Sequence, residues 1–453
     1  MGSLLTALRN SADALGVYGK ALDVVSNNVT NASTPGYAKQ TAVLGSRSFD
    51  IFTGAPGGVF VTGVASSRNV YAEHYVQSEQ TSLGVAQQKA GDLGQLATNF
   101  DATGKSGVEP AINSLFSGFS QLSVNPNDPA TRQNVLAQAG AVAQQFQATA
   151  KALSDASSQE SLQSQASIQQ INSLAGTIAQ LNADSTDLSG GTNAGIDAQL
   201  NSNLEELSKY VNFSSLKQPD GTLSVYVGGS PLVFGTHTSP LRGDFSTPQA
   251  RVLNSQGLDI TSQITGGQLA GTLQVQNSNI PAYQSDLNTL AQNLADQVNT
   301  TLGNGVDQNG AAPVNSLFTY NATLGAAGTL AVNPALTTDQ IAAALPGAPG
   351  GNGNALALSG LATAKNVNGQ TFSAYFGNLA SKVGQDLSDA QTQQSSQSQV
   401  LTQAQTLRQQ DSGVSLDTEA ENLIEFQRAY QATSKLVSVL NTLTESTLNL
   451  IPG

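Results

Sequence analysis

Cysteine and tryptophan are both absent from this chain of 453 residues. Without thiols there is no disulfide framework, no thiolate nucleophile and no sulfur-ligated metal, and cysteine pairing says nothing of the redox compartment. Aromatic residues make up 5% and charged residues 11% of the chain. Cores must therefore be thin and built on Leu, Val, Ile and Ala, which suits long helical bundles better than a compact globule. Lys and Arg number 18 against 31 Asp and Glu, a formal charge of -13. That is the wrong sign for a nucleic acid or an anionic membrane as partner. No apolar run reaches the ~7–15 residues of a signal-peptide core or the ~20 of a membrane span, so export would use a route that reads something other than a cleaved signal.

What the chain does have is a matched pair of helical stripes at its two ends. Leu4, Leu8, Ser11, Leu15, Tyr18, Leu22, Val25 and Val29 alternate steps of four and three, the pattern of a coiled-coil seam. Between Asp417 and Leu450 a second stripe carries Leu423, Tyr430, Thr433, Val437, Leu440, Leu443, Thr447 and Leu450. Each is too narrow to hold a helix alone against the cost of nucleation, so each needs a partner. The partners expected are each other, then copies of the same chain. Leu4, Leu8, Leu15, Leu22, Val25, Leu423, Tyr430, Val437 and Leu440 are the expected assembly interface. In a free subunit, residues 1 to about 45 and about 415 to 453 are expected to be cut first by protease.

The middle of the chain changes character several times. Asn27, Asn28 and Asn31 break the first helix, and Pro35-Gly36 ahead of Tyr37 has the residues of a type II turn. An extended piece from Tyr37 to Leu44 and a strand over Val59 to Val64 follow. A Gln/Ala-rich helical stretch runs from Val70 to Leu181, broken near Gly104-Lys105-Ser106-Gly107 and at Asn125-Pro126-Asn127-Asp128-Pro129. After a helix at Ala198 to Tyr210 the period falls to two, at Leu223 to Val227 and Pro231 to Phe234, with strands expected on through Arg251 to Val275. Helices return at Pro281 to Leu302, Asn354 to Ala364 and Thr371 to Gln410, with a short one at Thr338 to Ala344. The fold class expected is mainly α with a β insertion, in several domains. Residues 1–50 and 411–453 form a discontinuous terminal coiled-coil domain. A helical-bundle stalk comprises 51–211, 278–302 and 350–410, and an outer β-rich insertion comprises 212–277 and 303–349.

Residues able to support chemistry are sparse and scattered. The two histidines, His74 and His237, have no metal-binding spacing around them. Gly104-Lys105-Ser106 has the ending of a phosphate loop but lacks its earlier glycine, Asn99 standing there, and a helix break explains it better. There is no Gly-x-Ser-x-Gly elbow. Arg242-Gly243-Asp244 matches an adhesion tripeptide of a kind that arises by chance in Gly-rich loops. Asp307-Gln308-Asn309-Gly310 lacks the acidic twelfth residue of a calcium loop, Phe318 standing there, and reads as a turn. Met1-Gly2-Ser3 fits a myristoylation pattern, but Leu4 and Leu5 belong to the helical seam and no polybasic second signal follows. No catalytic residue, cofactor or metal is expected. The competing readings are a secreted coiled-coil adhesin, which would form its stalk unaided, and an enzyme hidden in residues 212–277, which hold almost no clustered titratable groups.

The stretch Asn27-Asn28-Val29-Thr30-Asn31-Ala32-Ser33-Thr34-Pro35-Gly36-Tyr37 resembles the N-terminal signature of the axial flagellar proteins of bacteria, the rod, hook and hook-associated group. The tail from Gly413-Val414-Ser415-Leu416-Asp417 through Phe426-Gln427-Arg428-Ala429-Tyr430 to Lys435 is similar to that group's C-terminal signature. Within the group, Ile280-Pro281-Ala282-Tyr283, Val306-Asp307-Gln308-Asn309-Gly310 and Asn352-Gly353-Asn354-Ala355-Leu356-Ala357-Leu358 resemble the hook-associated proteins of the hook–filament junction. Val306 departs from the Phe more usual there. A hook protein would be β-rich through its middle, and a filament protein would lack the first motif. The resemblance implies an inner domain made of both chain ends in a tubular assembly and a ring of subunits joining hook to filament. It implies contacts with hook protein and with a second junction protein or the filament, an extracellular location reached by flagellar type III export without cleavage, and an export chaperone at the C-terminal helix.

Overall fold

A computed structural model describes residues 2–34, 36–48, 57–100, 106–187 and 194–449. In chain order the elements begin with α1 (Gly2–Thr30), the hairpin β1 (Gln40–Ser46) and β2 (Val59–Ser66), and the helices α2 (Val70–Ala97), α3 (Val108–Val124), α4 (Pro129–Asp187, 59 residues) and α5 (Ala194–Tyr210). Then come β3 (Ser214–Lys217), β4 (Leu223–Val227), β5 (Ser230–Phe234), β6 (His237–Thr238), β7 (Arg242–Asp244) and β8 (Arg251–Leu253). The chain returns to helix in α6 (Gly267–Gln274) and α7 (Ile280–Gly303), and passes through β9 (Phe318–Thr319), α8 (Ala326–Thr329) and β10 (Ala331–Val332). It closes with α9 (Gly353–Gly360), α10 (Phe372–Ser412) and α11 (Leu416–Asn449). The fold is mainly α with an inserted β region.

The chain divides into two compact units. The first contains residues 1–82, 171–240 and 397–453; the second contains 83–170 and 241–396. In the first, β3 to β6 form a four-stranded antiparallel meander, with Tyr226 opposite Ser214 and Val233 opposite Thr238. One face of this sheet is buried through Val225, Val227, Leu232 and Val233. Asn182, fully buried on α4, anchors the meander: its amide donates to the carbonyls of Leu223 and Gly235 at 2.8 and 2.7 Å and accepts from Leu223 N at 2.9 Å. An amide with three such bonds stands in for a missing strand neighbour.

The second unit is a helical core in which α3, α7 and α9 pack on α2, α4 and the start of α10. Phe119, Phe146, Tyr283 and Phe372 are fully buried there. Phe116 stacks on Phe372 at 5.7 Å between centroids, and Phe100 meets Tyr283 edge-on at 6.0 Å.

Two expectations need correction. The β region was expected to continue to Val275, but after β8 the chain turns helical at Gly267, and Leu269, Ala270 and Leu273 bury one face of α6. Helical spacing of apolar residues here overrides the turn signal of Gly266-Gly267. Pro281 stands in the first turn of α7, as expected, but α7 does not start afresh there: a π-turn at Val275–Asn279 continues into it from α6. A proline inside a helix lacks the N–H for the carbonyl four residues back and collides with it, and a wider turn just before it relieves both. The helix expected from Thr338 to Ala344 is a single 3₁₀ turn, Thr338–Gln340, with a capping box between Thr337 and Gln340.

Candidate assembly site at the joined chain ends

Helices α1 and α11 pack along each other within one chain. On α1 the buried residues are Ser11, Val17, Ala21, Val25 and Asn28, so the covered face is rotated from the expected stripe. The reason is a second neighbour: α1 also carries the β1–β2 hairpin, and two partners need a broader face than one coiled-coil seam. Of the expected interface residues, Val25 is buried, Leu4, Leu8, Leu15, Leu22, Leu423, Val437 and Leu440 are half-buried, and Tyr430 is exposed at 38%. Tyr430 lies against Gly19, 3.9 Å from the place a side chain there would start.

The N-terminal signature is a knot of hydrogen bonds. Asn28 is almost wholly buried, and all four of its amide bonds are made. Its Nδ2 donates to Gln40 O at 2.8 Å and to Glu419 Oε2 at 2.9 Å; its Oδ1 accepts from Gln40 N and from the Tyr37 hydroxyl, each at 2.9 Å. It thereby fixes the end of α1, the first residue of β1 and the first turn of α11. Asn31 Nδ2 donates to Asn27 O and Oδ1, and its own Oδ1 accepts from the Thr34 hydroxyl. The turn closes where Tyr37 N donates to Thr34 O at 3.2 Å, with Gly36 at φ +72°. Pro35 lies outside the described residues. Gly36 is required twice over, because a Cβ there would also stand 2.6 Å from Ala198 O on α5.

Glu419 is buried and acidic, in the first turn of α11, where the helix dipole favours a negative charge. The Lys39 ammonium stands 3.2 Å from its Oε1 at an angle outside hydrogen-bond geometry, so Coulomb attraction rather than a second hydrogen bond offsets the charge there. Burial, followed by the negative charge of Glu419, pushes the Tyr37 hydroxyl above its ordinary pKa.

A second cluster holds the turn to its surroundings. Arg68 donates through three nitrogens, to Gly36 O at 2.6 Å, Glu73 at 2.6 Å and Asp197 at 2.9 Å. Arg408 bridges Glu73 at 3.2 Å and Glu205 at 2.6 Å. Beside it the backbone is sewn together, Lys39 N to Ser412 O and Ser67 N to Lys39 O, both 2.9 Å. Beside Arg68, Glu73, His74 and Asp197 lies a cavity of about 310 Å³. Arg68, Glu73 and Asp197 are already paired with one another. Sequence reading missed Arg68, Glu73, Asp197, Glu205, Arg408, Lys39 and Glu419. The one signal was the scarcity of charge itself, which makes any Arg beside an acidic helix start worth pairing.

The remaining candidates fall elsewhere. His74 and His237 are both exposed, and no group of three metal-binding side chains occurs among the described residues. Arg242-Gly243-Asp244 is strand β7 rather than a loop tip, and Asp244 is committed to Arg251 and to the Ser246 hydroxyl. Asp307 Oδ1 accepts from Asn309 N and Ala311 N and so closes a turn. Gly104 and Lys105 lie outside the described residues.

On the side of α11 turned away from α1, Ile424, Leu436, Val439 and Leu443 are exposed, about half of each side chain facing solvent. At ~100° per residue these fall on the face opposite Glu419, Leu423, Val437 and Leu440. Val43, Leu44, Phe60 and Val64 are likewise exposed on the hairpin. Exposed apolar residues grouped in this way mark contact surfaces.

Comparison with known proteins finds flagellar relatives. The family model of the helical domain of the flagellar hook-associated protein FlgK matches residues 93–318. The C-terminal model of the flagellar basal body rod FlgEFG proteins matches 408–450, and the flagella basal body rod protein model matches 8–37. Flagellar hook-associated protein 1 of Bacillus subtilis is 27% identical over 99% of both chains. Flagellar hook-associated protein 1 of Escherichia coli is 24% identical over 98% of this chain and 99% of its own. The structure of the flagellar hook junction protein FlgK from Burkholderia pseudomallei superposes with a TM-score of 0.65 at 17% identity, covering 74% of this chain and 99% of its own.

Proposed function

The chain belongs to the FlgK family of flagellar hook-associated proteins, and from that premise we propose that it is a structural component of the bacterial flagellum, built in at the junction between hook and filament. The observation that carries this reading is the joining of the two chain ends. Both signature motifs lie at the α1–α11 pair, tied through Asn28 and Glu419, and α11 keeps a second apolar stripe free on its far side. A helix with one stripe covered by its own chain and another left open is equipped to join neighbouring copies.

In this reading the protein works beyond the cell envelope, as part of the exported axial structure, and is not an enzyme. Copies form a ring through α1 and α11, with Leu4, Leu8, Leu15, Leu22, Val25, Leu423, Tyr430, Val437 and Leu440 in the seam that holds the inner domain together. The inner domain is residues 1–50 with 411–453, the stalk is 51–211, 278–302 and 350–410, and the outer region is 212–277 and 303–349. An export chaperone covers Leu423, Tyr430, Val437 and Leu440 by laying a groove along the helix, and α1 replaces it after secretion. Calorimetry with chain lacking 415–453 should find no chaperone binding, and chain lacking 1–45 should bind normally.

The deciding experiment is a deletion strain. Loss of this protein should leave hooks without filaments and flagellin released into the medium, restored by the full-length chain. Normal filaments in the deletion strain would refute the assignment.

A further inference from the structure

The inward face of α4 changes chemistry halfway along. Positions Phe146 and Leu153 are apolar and buried, and Ile168 resumes the pattern. Between them the same face carries Glu160, Ser164 and Ser167, all buried. Glu160 Oε2, Ser164 Oγ, Ser167 Oγ and, from the π-turn, Gln276 Oε1 have no hydrogen-bond partner. A group of unpartnered buried oxygens is rare in folded proteins and calls for an explanation.

The neighbours of Glu160 supply one. From α2 comes Asp92, half-buried, whose carboxylate accepts from the Gln88 amide at 2.8 and 3.1 Å and stands beside the Glu160 carboxyl, each acting on the other's charge. From the π-turn comes the neutral amide of Gln276, whose Nε2 donates to Ser161 Oγ at 2.7 Å. On α4 itself the adjoining groups are serine hydroxyls. Among the described residues the charged group acting on Glu160 is thus Asp92, and no cation acts on it. Two carboxyl groups can hydrogen-bond to each other only if one carries a proton, and two bare carboxylates in that position would repel with one of them cut off from water.

We propose that Asp92 and Glu160 hold one proton between them, a proton-binding site that fastens α2 to the middle of α4 at neutral pH and lets go in alkaline solution. The proton sits on Glu160, whose hydroxyl donates to the Asp92 carboxylate, while Gln88 supports the same carboxylate from the other side. Burial, then the charge of Asp92, pushes the Glu160 carboxyl up to about 9. Above that, hydroxide removes the proton as water, the donor is lost, and the contact must open to hydrate Glu160. The π-turn beside it gives room, since Gln276 reaches α4 through one amide and has no partner for its oxygen.

Hydrogen exchange on the full chain tests this. Peptides covering 85–97 and 155–170 should lose protection at least tenfold between pH 6 and pH 10, after correction for intrinsic chemistry, and Glu160→Gln should keep it, because the amide donates to Asp92 at any pH. Parallel loss in the wild type and Glu160→Gln, or no loss in the wild type, would overturn the proposal, as would protection at pH 10 that returns with added Ca²⁺ or Na⁺. If Glu160→Gln does not fold, carbon-13 titration of the wild-type glutamates decides. A Glu resonance titrating several units above the ordinary range supports the shared proton, and its absence overturns it.

Discussion

Asn28 and Glu419 lie 391 residues apart in the chain and are joined by a hydrogen bond of 2.9 Å, both side chains almost wholly buried. The bond holds the last turn of α1 against the first turn of α11, so the two signatures act as one structural part. Asn28→Ala should remove four hydrogen bonds together and strand Gln40 N, Gln40 O and Glu419 in a buried place. At about 1–3 kcal/mol for each stranded group, partly relieved by water, a loss of about 3–5 kcal/mol is expected. Urea denaturation followed by a probe in the first unit checks it. Asn28→Asp should do at least as much harm, because it sets a second negative charge beside Glu419.

Gly36→Ala should cost about 2–4 kcal/mol by two separate routes. Its φ of +72° is disfavoured for any residue with a Cβ, and the added carbon would stand 2.6 Å from Ala198 O. Because the obstacle is a backbone oxygen, Ala198→Gly should not rescue the variant. Recovery in that double variant, read by thermal denaturation, would show that the α5 contact had been misjudged.

Arg132 is 2% exposed, and its guanidinium donates to Pro126 O at 2.8 Å, Ile341 O at 2.6 Å and Thr338 O at 3.1 Å. One side chain thus ties the start of α4 to the 3₁₀ turn at Thr338–Gln340. Arg132→Met should cost about 3 kcal/mol or more, since three carbonyls lose their donor. Arg132→Lys should rescue little, because an ammonium cannot span three carbonyls in the plane of a fork. Both are measurable by denaturation with a probe in the second unit.

The Asp92–Glu160 pair sets the sign of a pH effect. Glu160 has an ordinary pKa of 4.5 once unfolded and about 9 when folded. Between these values the folded chain binds more protons, so stability should be full below about 4.5 and fall as pH rises toward 9. The slope should not exceed about 1.4 kcal/mol per pH unit. Glu160→Gln should flatten it, and an equal slope in the variant would assign the effect to other groups.

What could be read from the sequence and what could not divide along the range of the interactions. The runs Val70–Ala97, Val108–Val124 and Pro129–Asp187 were visible because apolar spacing and Gly or Pro breaks are local signals. The turn at Gly36 was visible for the same reason. The rotation of the buried face of α1 was not, because it depends on the β1–β2 hairpin as a second neighbour. Nor was the path through α6 and the π-turn, where Gly266-Gly267 suggested a β-turn. Arg68, Asp197 and Arg408 converge from positions more than a hundred residues apart, and nothing local in the chain announces that meeting. The motif around Asn28 was recognised as a signature, but its partner Glu419 emerged only once both chain ends were placed.

Val439 and Leu440 are adjacent in sequence and about 100° apart around α11, one on each stripe, which allows the two stripes to be separated by experiment. Leu440 is half-buried on the side of α1, and Val439 is exposed with Leu436 and Leu443. Leu440→Asp puts a charge into the seam at a cost of several kcal/mol and should loosen α11 from α1 in the free subunit, seen as early proteolysis of the C-terminal helix. Leu15→Asp on the facing helix should act alike. Val439 is more than half exposed in the free subunit, so the denaturation curve of Val439→Asp should match the wild type within about 0.5 kcal/mol. If the outer stripe joins copies as proposed, the same charge would meet a neighbouring copy, and filaments should fail to form in a deletion strain carrying this variant. If Val439→Asp, Leu436→Asp and Leu443→Asp all restore normal filaments, the outer stripe of α11 is not a subunit contact, whatever Leu440→Asp does.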